Sequence, residues 1–314
     1  MEFLWYSLAV IAFLAVAVFA AALTCFLKVF YSPSRSKSDE IQTPEGPVYE
    51  PYREIMVEWI KSMRSMPHTD VSVHSFDGLV LRGKYYEYGE GAPIELLFHG
   101  YKSNSERDLC GAVTRCFSIG HSALVVDHRA SGQSEGHVIT FGVNESRDCQ
   151  TWVNYILENI DANATIILAG ISMGAATVMS CASADLPDNV IGIVADCGYT
   201  SAEQIIKKVM RDMHLPPNLL YPFVKLGARV FGKFDIDGIS PIKALSSSRL
   251  PVIFFHGDTD DFVPYSMSEE NYNACATRKR LVRVEGAGHG LCFMLAPETY
   301  LAELETFFGD TRAS

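Results

Sequence analysis

A serine flanked by glycines, Gly170-Ile171-Ser172-Met173-Gly174, follows the apolar run 165–169 and precedes the helix-forming run 175–180. A sharp strand-to-helix turn lifts a serine hydroxyl clear of the backbone, and a side chain at either glycine would collide with the adjoining strand and helix. The pattern predicts a nucleophile. A hydroxyl attacks poorly until a base takes its proton, and that base needs a third group to hold its tautomer. Both partners have candidates downstream, where apolar runs empty into loops. Run 281–284 ends in Glu285-Gly286-Ala287-Gly288-His289-Gly290 and offers His289; run 250–255 ends in His256-Gly257-Asp258-Thr259-Asp260-Asp261 and offers three aspartates. Asp196, at the end of the preceding apolar run, is a fourth. His99, His128 and His256 also close predicted strands; His99 and His256 precede glycines and are expected to fix turns by hydrogen bonds, with His128 no nearer than the rim of a pocket.

The elements that must carry these residues alternate. Apolar runs 94–98, 123–127, 165–169, 190–195, 252–255 and 280–284 read as strands, separated by helical stretches 106–119, 144–159, 173–184, 265–276 and 297–308. Alternation of this kind predicts an α/β fold with a mostly parallel central sheet and helices on both faces. Residues 71–74 and 79–88, joined by Phe76-Asp77-Gly78, read as an antiparallel hairpin at the sheet edge, and 49–66 as a helix ended by Pro67. About 55 residues separate the strand ending at Asp196 from the one starting at Val252, far more than one crossover helix requires. Helical stretches 201–213 and 219–231, divided by Pro216-Pro217, predict a small cap insertion over the serine at about 198–248, or else two helices packed on the sheet face. As a cap it would offer Met210, Met213, Leu215, Tyr221 and Phe223 to an acyl chain.

His99-Gly100 after a strand, Gly-Ile-Ser-Met-Gly, His-Gly-Asp-Thr-Asp-Asp-Phe-Val-Pro and Gly-His-Gly occur in this order, and over about residues 71–308 the chain resembles the α/β-hydrolase superfamily. Within it, residues 127–136, Asp-His-Arg-Ala-Ser-Gly-Gln-Ser-Glu-Gly, are similar to a loop of small, often membrane-anchored serine hydrolases of the Bem46 type. The resemblance implies the α/β-hydrolase fold and the chain order Ser172, Asp260, His289. It selects Asp260, four positions after the motif histidine, and leaves Asp258 to cap the turn. It also implies an oxyanion hole built from the Met173 amide and the Tyr101 amide, where Gly100 allows close approach. The implied activity is cleavage of an ester or thioester in a small-molecule or lipid acyl substrate, without a metal or organic cofactor; amidase, peptidase or acyltransferase chemistry would use the same groups. A tethered, non-catalytic binding protein is the rival, and it would have no physical need of all three side chains. The 127–136 loop lacks the Gly-x-x-x-x-Gly-Lys-Ser/Thr arrangement of a phosphate cradle and reads as a rigid support with Arg129 and Glu135 paired.

The net charge of −11 and pI of about 5.3 disfavour nucleic acid as a partner. The eight cysteines show no zinc-site spacing and are expected as buried thiols. Residues 3–27 carry no charge and would reach about 37 Å as a helix, enough to cross a bilayer. Lys28, Arg35 and Lys37 follow the span while only Glu2 precedes it, which places the following domain on the cytoplasmic side; a cleaved signal peptide, with small residues at Ala20-Ala21-Ala22, would instead export it. The expected organisation is a transmembrane anchor over 1–30, a mobile linker over 31–48 and the hydrolase domain over 49–314.

Overall fold

The computed structural model describes residues 2–33 and 40–309; Arg35 and Lys37 of the basic flank and the middle of the expected linker lie outside them. The N-terminal run forms one 28-residue helix, α1 (Glu2–Val29). Large apolar side chains point outward around it, among them Phe3, Phe13, Leu14 and Phe19, and only its last turns are buried, at Ala22 and Phe26. A helix apolar on every side and unburied needs a non-aqueous surround, which makes α1 a candidate membrane span.

Past α1, α2 (Arg53–Ser65) buries Met56, Ile60 and Met63 along one stripe. It stops before Met66, which adopts the extended backbone that a following proline favours. β1 (Thr69–His74) and β2 (Val80–Tyr86) form the expected antiparallel hairpin. Strands β3 (Ile94–Phe98), β4 (Ser122–Val126), β5 (Ile166–Ile171), β6 (Val190–Asp196), β7 (Val252–Gly257) and β8 (Lys279–Val284) complete an eight-stranded sheet ordered β1-β2-β4-β3-β5-β6-β7-β8, parallel from β4 to β8. Successive strand residues feed opposite cores. Leu96, Phe98, Leu168 and Phe254 join Trp152 on one face, while Leu97, Ala169, Ile253 and Phe255 join Leu304 and Phe307 on the other. The connecting helices are α3 (Ser105–Asp108), α4 (Ala112–Ser118), α5 (Glu145–Asn159), α6 (Met173–Cys181), α7 (Ala202–Asp212), α8 (Pro217–Gly227), α9 (Pro241–Leu245), α10 (Tyr265–Ala274), α11 (Cys292–Leu295) and α12 (Pro297–Gly309).

Two expectations change. The single helix over 106–119 is broken into α3 and α4, because the ring of Trp59 from α2 occupies the gap: a Cβ on Gly111 would lie 2.6 Å from it. The insertion over 198–248 is helical but does not cover the serine. α8 and the π-helical turn Ala228–Gly232 lie along α1, with the Phe231 ring 5.0 Å from Phe19 and 5.6 Å from Phe26. Met210 and Tyr221 are core residues beneath it, and Met213 and Leu215 are exposed.

Candidate active site

Ser172 stands between the end of β5 and the start of α6 with φ +56° and ψ −115°. Such a backbone costs a non-glycine residue about 1–3 kcal/mol and persists only where the surroundings impose it. They do so here by contact. A Cβ on Gly170 would lie 2.2 Å from Gly174 C, and one on Gly174 would lie 2.0 Å from Phe98 O, so strand, turn and helix interlock only with glycine at both positions. The Ser172 amide donates to Asp196 O at 2.8 Å, fixing the turn to β6.

Three loops converge on the hydroxyl. His289 Nε2 lies 2.9 Å from Ser172 Oγ, and His289 Nδ1 lies 2.7 Å from Asp260 Oδ2. The ring can therefore accept the serine proton at one nitrogen while donating to a carboxylate at the other. Asp260 is itself held on both sides. Its Oδ1 accepts from the amides of Phe262 and Val263 at 3.0 and 2.8 Å, and its Oδ2 lies 3.2 Å from His256 Nε2. Burial pushes this carboxyl up, but hydrogen bonds and charge from His256 and His289 outweigh burial and hold it well below the usual carboxylate range. His256 also donates from Nε2 to Val263 O at 2.8 Å and meets Ser268 Oγ at Nδ1, so it fixes the turn, as expected, and supports the carboxylate as well. The rival aspartates do other work: Asp258 accepts from the Gly286 amide and pairs with Arg283 on the surface, which fits the turn-capping role.

Gly100 brings the loop after β3 against the serine, since a Cβ there would lie 3.5 Å from Ser172 Cβ. Asp108 Oδ2 accepts from the Gly100 amide at 2.9 Å and anchors that loop. The amide of Tyr101 follows. The amide of Met173 is in the first turn of α6, where backbone donors have no intrahelical acceptor. The Tyr101 side chain turns toward α1: its hydroxyl donates to Val29 O at 2.6 Å and its ring lies 5.0 Å from Phe141.

A cavity of about 640 Å³ opens beside Ser172 and His289. Its walls come from an unforeseen quarter. Pro44, Pro47 and Val48 from the expected linker, with Met56 and Trp59 of α2, form one side; Leu97, Ala169 and Val194 of the sheet, Phe293 and Met294 add further apolar surface, and Arg107, Asp108 and Asp261 bring charge to the lining. The described end of the linker is thus packed down: Val48 meets Gly288, where a Cβ would come within 2.6 Å of it, and the Tyr49 hydroxyl donates to His289 O at 3.0 Å. None of the five residues expected from the insertion lines the cavity. Asp196 also lines it, with a buried Oδ1 that has no hydrogen-bond partner, and burial pushes its carboxyl up to about 6 against the lowering pull of His256, Cys292 and Tyr300.

Asp108, Tyr49 and the Asp260 contact of His256 were not legible in the sequence. Each acts across a turn or a long loop without a local spacing pattern. The 127–136 loop is the rigid support expected, although its pairing differs. Arg129 binds Asp148 and Asp77 in place of Glu135, which accepts from the Val80 amide instead. The Asp127 carboxylate accepts from the Gln133 amide within the loop and from the Ser105 amide at the start of α3. His128, expected no nearer than the rim, does not line the cavity; it is buried and stacks on Phe98. Cys197, Asp260 and His289 bring three potential metal ligands within 4.8 Å of one another. Burial pushes the Cys197 thiol well above its ordinary pKa, so it stays protonated, and the His289 and Asp260 atoms are engaged with each other.

No family model matches the chain. It is similar to the uncharacterized protein YqkD of Bacillus subtilis, 25% identical over 255 residues that cover 81% of this chain and 83% of that one. Protein Bem46 of Schizosaccharomyces pombe is 24% identical over 201 residues, 62% of this chain and 60% of its own length. Among solved structures, the Pyrococcus furiosus esterase Pf2001 superposes with a TM-score of 0.67 at 21% identity, over 90% of this chain and 98% of that one. The chain has the α/β-hydrolase fold and resembles the Bem46-type group within it.

Proposed function

We propose that the chain is a membrane-anchored serine hydrolase that cleaves an ester or thioester bond. The observation that carries this reading is the unbroken chain of hydrogen bonds from Ser172 Oγ through the His289 ring to Asp260, facing an apolar-walled cavity. Ser172 Oγ attacks the carbonyl carbon while His289 Nε2 takes its proton, and the paired Asp260 carboxylate stabilises the imidazolium. The Met173 and Tyr101 amides stabilise the oxyanion, at about 3 kcal/mol per donor. His289 then returns the proton to the departing alcohol or thiol, leaving an acyl-serine. Water, deprotonated by the same ring, releases the acid and restores Ser172. No step calls for a metal or organic cofactor.

Apolar walls and a membrane tether favour a substrate with a lipophilic acyl group, and the naming of Pf2001 as an esterase supports an ester linkage. Lys28 after the span favours a cytoplasmic catalytic domain, and protease protection in sealed vesicles checks the side. The activity is tested by fluorophosphonate labelling followed by hydrolysis of p-nitrophenyl esters from acetate to palmitate. Wild type is expected to be labelled and to turn over, and Ser172→Ala to lose both. Equal labelling of the two proteins would overturn the assignment.

A further inference from the structure

We propose that the second face of α8, with the π-helical turn after it, enters the hydrocarbon edge of the same bilayer that α1 spans, so that the hydrolase domain is held at the membrane by two contacts. The inference rests on reading α1 as an uncleaved anchor. A bilayer core takes up about 20 helical residues, and every such window within the uncharged run 3–27 contains both Phe19 and Ala22. These are the residues on which the insertion sits. Phe231 lies ring to ring with Phe19 at 5.0 Å, and Gly227 is so close to α1 that a Cβ there would come 2.6 Å from Ala22 O. Wherever α1 is placed along the membrane normal, those contacts carry α8 down with it.

The composition of α8 fits that depth. One face buries Tyr221, Val224 and Gly227 against the domain and α1. The other carries Leu219, Pro222, Phe223 and Leu226 at helical spacing and continues to Val230, with Leu219 64% exposed and Val230 47% exposed. Lys225 is the one charge in the helix and is paired with Asp237, and Arg229, the one charge in the turn, is paired with Asp235 and can reach the headgroups along its long stem. A helix apolar on both faces is at odds with a water-exposed position and consistent with lipid on the open side. The close approach at Gly227 is the small-residue packing that lets helices associate where no hydrophobic drive exists between them.

Nitroxide labels on the full chain in phosphatidylcholine and phosphatidylglycerol nanodiscs test this directly. With Cys25, the one cysteine that is not buried, replaced by serine, single labels go at Leu219→Cys and Val230→Cys, at Leu14→Cys in the free part of α1, and at Ser72→Cys on the exposed edge strand. Relaxation by oxygen and by a water-soluble nickel chelate reports the surround. Oxygen is expected to dominate at 219 and 230 as at 14, several-fold above its share at 72. Nickel access at 219 and 230 with lipid character kept at 14 overturns the proposal and leaves the anchor standing; nickel access at 14 as well removes the anchor and the proposal together. Low access to both reagents would mean that another protein covers the stripe, which also overturns it. Should a labelled variant misfold, Leu219→Trp in a Trp5→Phe background, which removes the tryptophan of α1 itself, gives the same reading without a label when the added fluorescence is quenched by brominated lipid, and absence of quenching counts against the proposal.

Discussion

Asp260 and Asp196 are both buried carboxyls near His289, and their surroundings push them in opposite directions. Asp260 gives one oxygen to two amides and the other to two imidazoles, which suits a permanent anion that fixes the His289 tautomer. Asp260→Asn would turn an amide N–H toward His289 Nδ1, place the ring proton on Nε2 and leave no acceptor for Ser172. Turnover is expected to fall about 10⁴-fold, read as kcat on a soluble ester. If it stays within a few-fold of wild type while Asp196→Asn abolishes activity, the acid has been misassigned. Asp196 carries a second expectation. Its folded pKa of about 6 lies above the unfolded value near 3.9, so the native state binds the extra proton and stability falls as pH rises between those values, by up to about 3 kcal/mol. Asp196→Asn removes that penalty. Its urea midpoint is expected above wild type at about pH 8, with the difference gone by about pH 4; an equal gap at both would show that titration of Asp196 is not the cause. Ser172 and His289 stand out in the sequence because each follows a strand inside a short motif, and the family resemblance selects Asp260 among its neighbours; the structure brings the three into hydrogen-bond contact. Asp196 was legible as a strand-end carboxyl, but its unpartnered oxygen depends on neighbours distant in sequence.

Elements place the proposed oxyanion donors, and the contact that anchors one of them is not encoded in the periodicity of the chain. Asp108 closes the short helix α3 and accepts the Gly100 amide, so the loop bearing Tyr101 is pinned from a helix that exists because Trp59 interrupts the 106–119 run. Asp108→Ala is expected to let the loop drift and to lower kcat by up to about 100-fold, a large part of the effect of losing one donor, with KM on a short ester nearly unchanged. Asp108→Asn keeps an acceptor for the Gly100 amide and should restore most of the rate. Equal losses in the two variants would point to charge and not to anchoring. The strand order and both sheet cores follow from apolar runs that any parallel sheet buries on two faces. The misplacement of 198–248 has a physical reason too. Helical spacing states that an apolar face exists, whereas what covers it depends on the competing surface, and α1 supplies one that composition marked only as a membrane span.

At the scale of the whole molecule, the N-terminal helix and the α/β-hydrolase fold do not divide at residue 30 or 48. Phe30 is fully buried, its ring 5.8 Å from Phe141 and 5.2 Å from Phe234, and Tyr31 bridges Val138. The carbonyls that end α1 are taken up by the loop after β3: Val29 O accepts from the Tyr101 hydroxyl and Lys28 O from Lys102 Nζ. Residues 44–48 then wall the cavity. Deleting the N-terminal segment therefore strips more than membrane attachment. Phe30→Ala alone is expected to cost about 3–5 kcal/mol, the range for an aromatic removed from a packed core, while leaving the chain in the membrane fraction. A chain starting at Glu40 keeps the cavity wall but loses the aromatic cluster and both loop tethers. It is expected to unfold at lower urea and to hydrolyse even a water-soluble ester with reduced kcat, whereas the full chain in detergent retains its rate. A truncated protein as stable and as active as the detergent-solubilised full chain would show that α1 acts only as an anchor and that its packing on Tyr101 does not reach the active site.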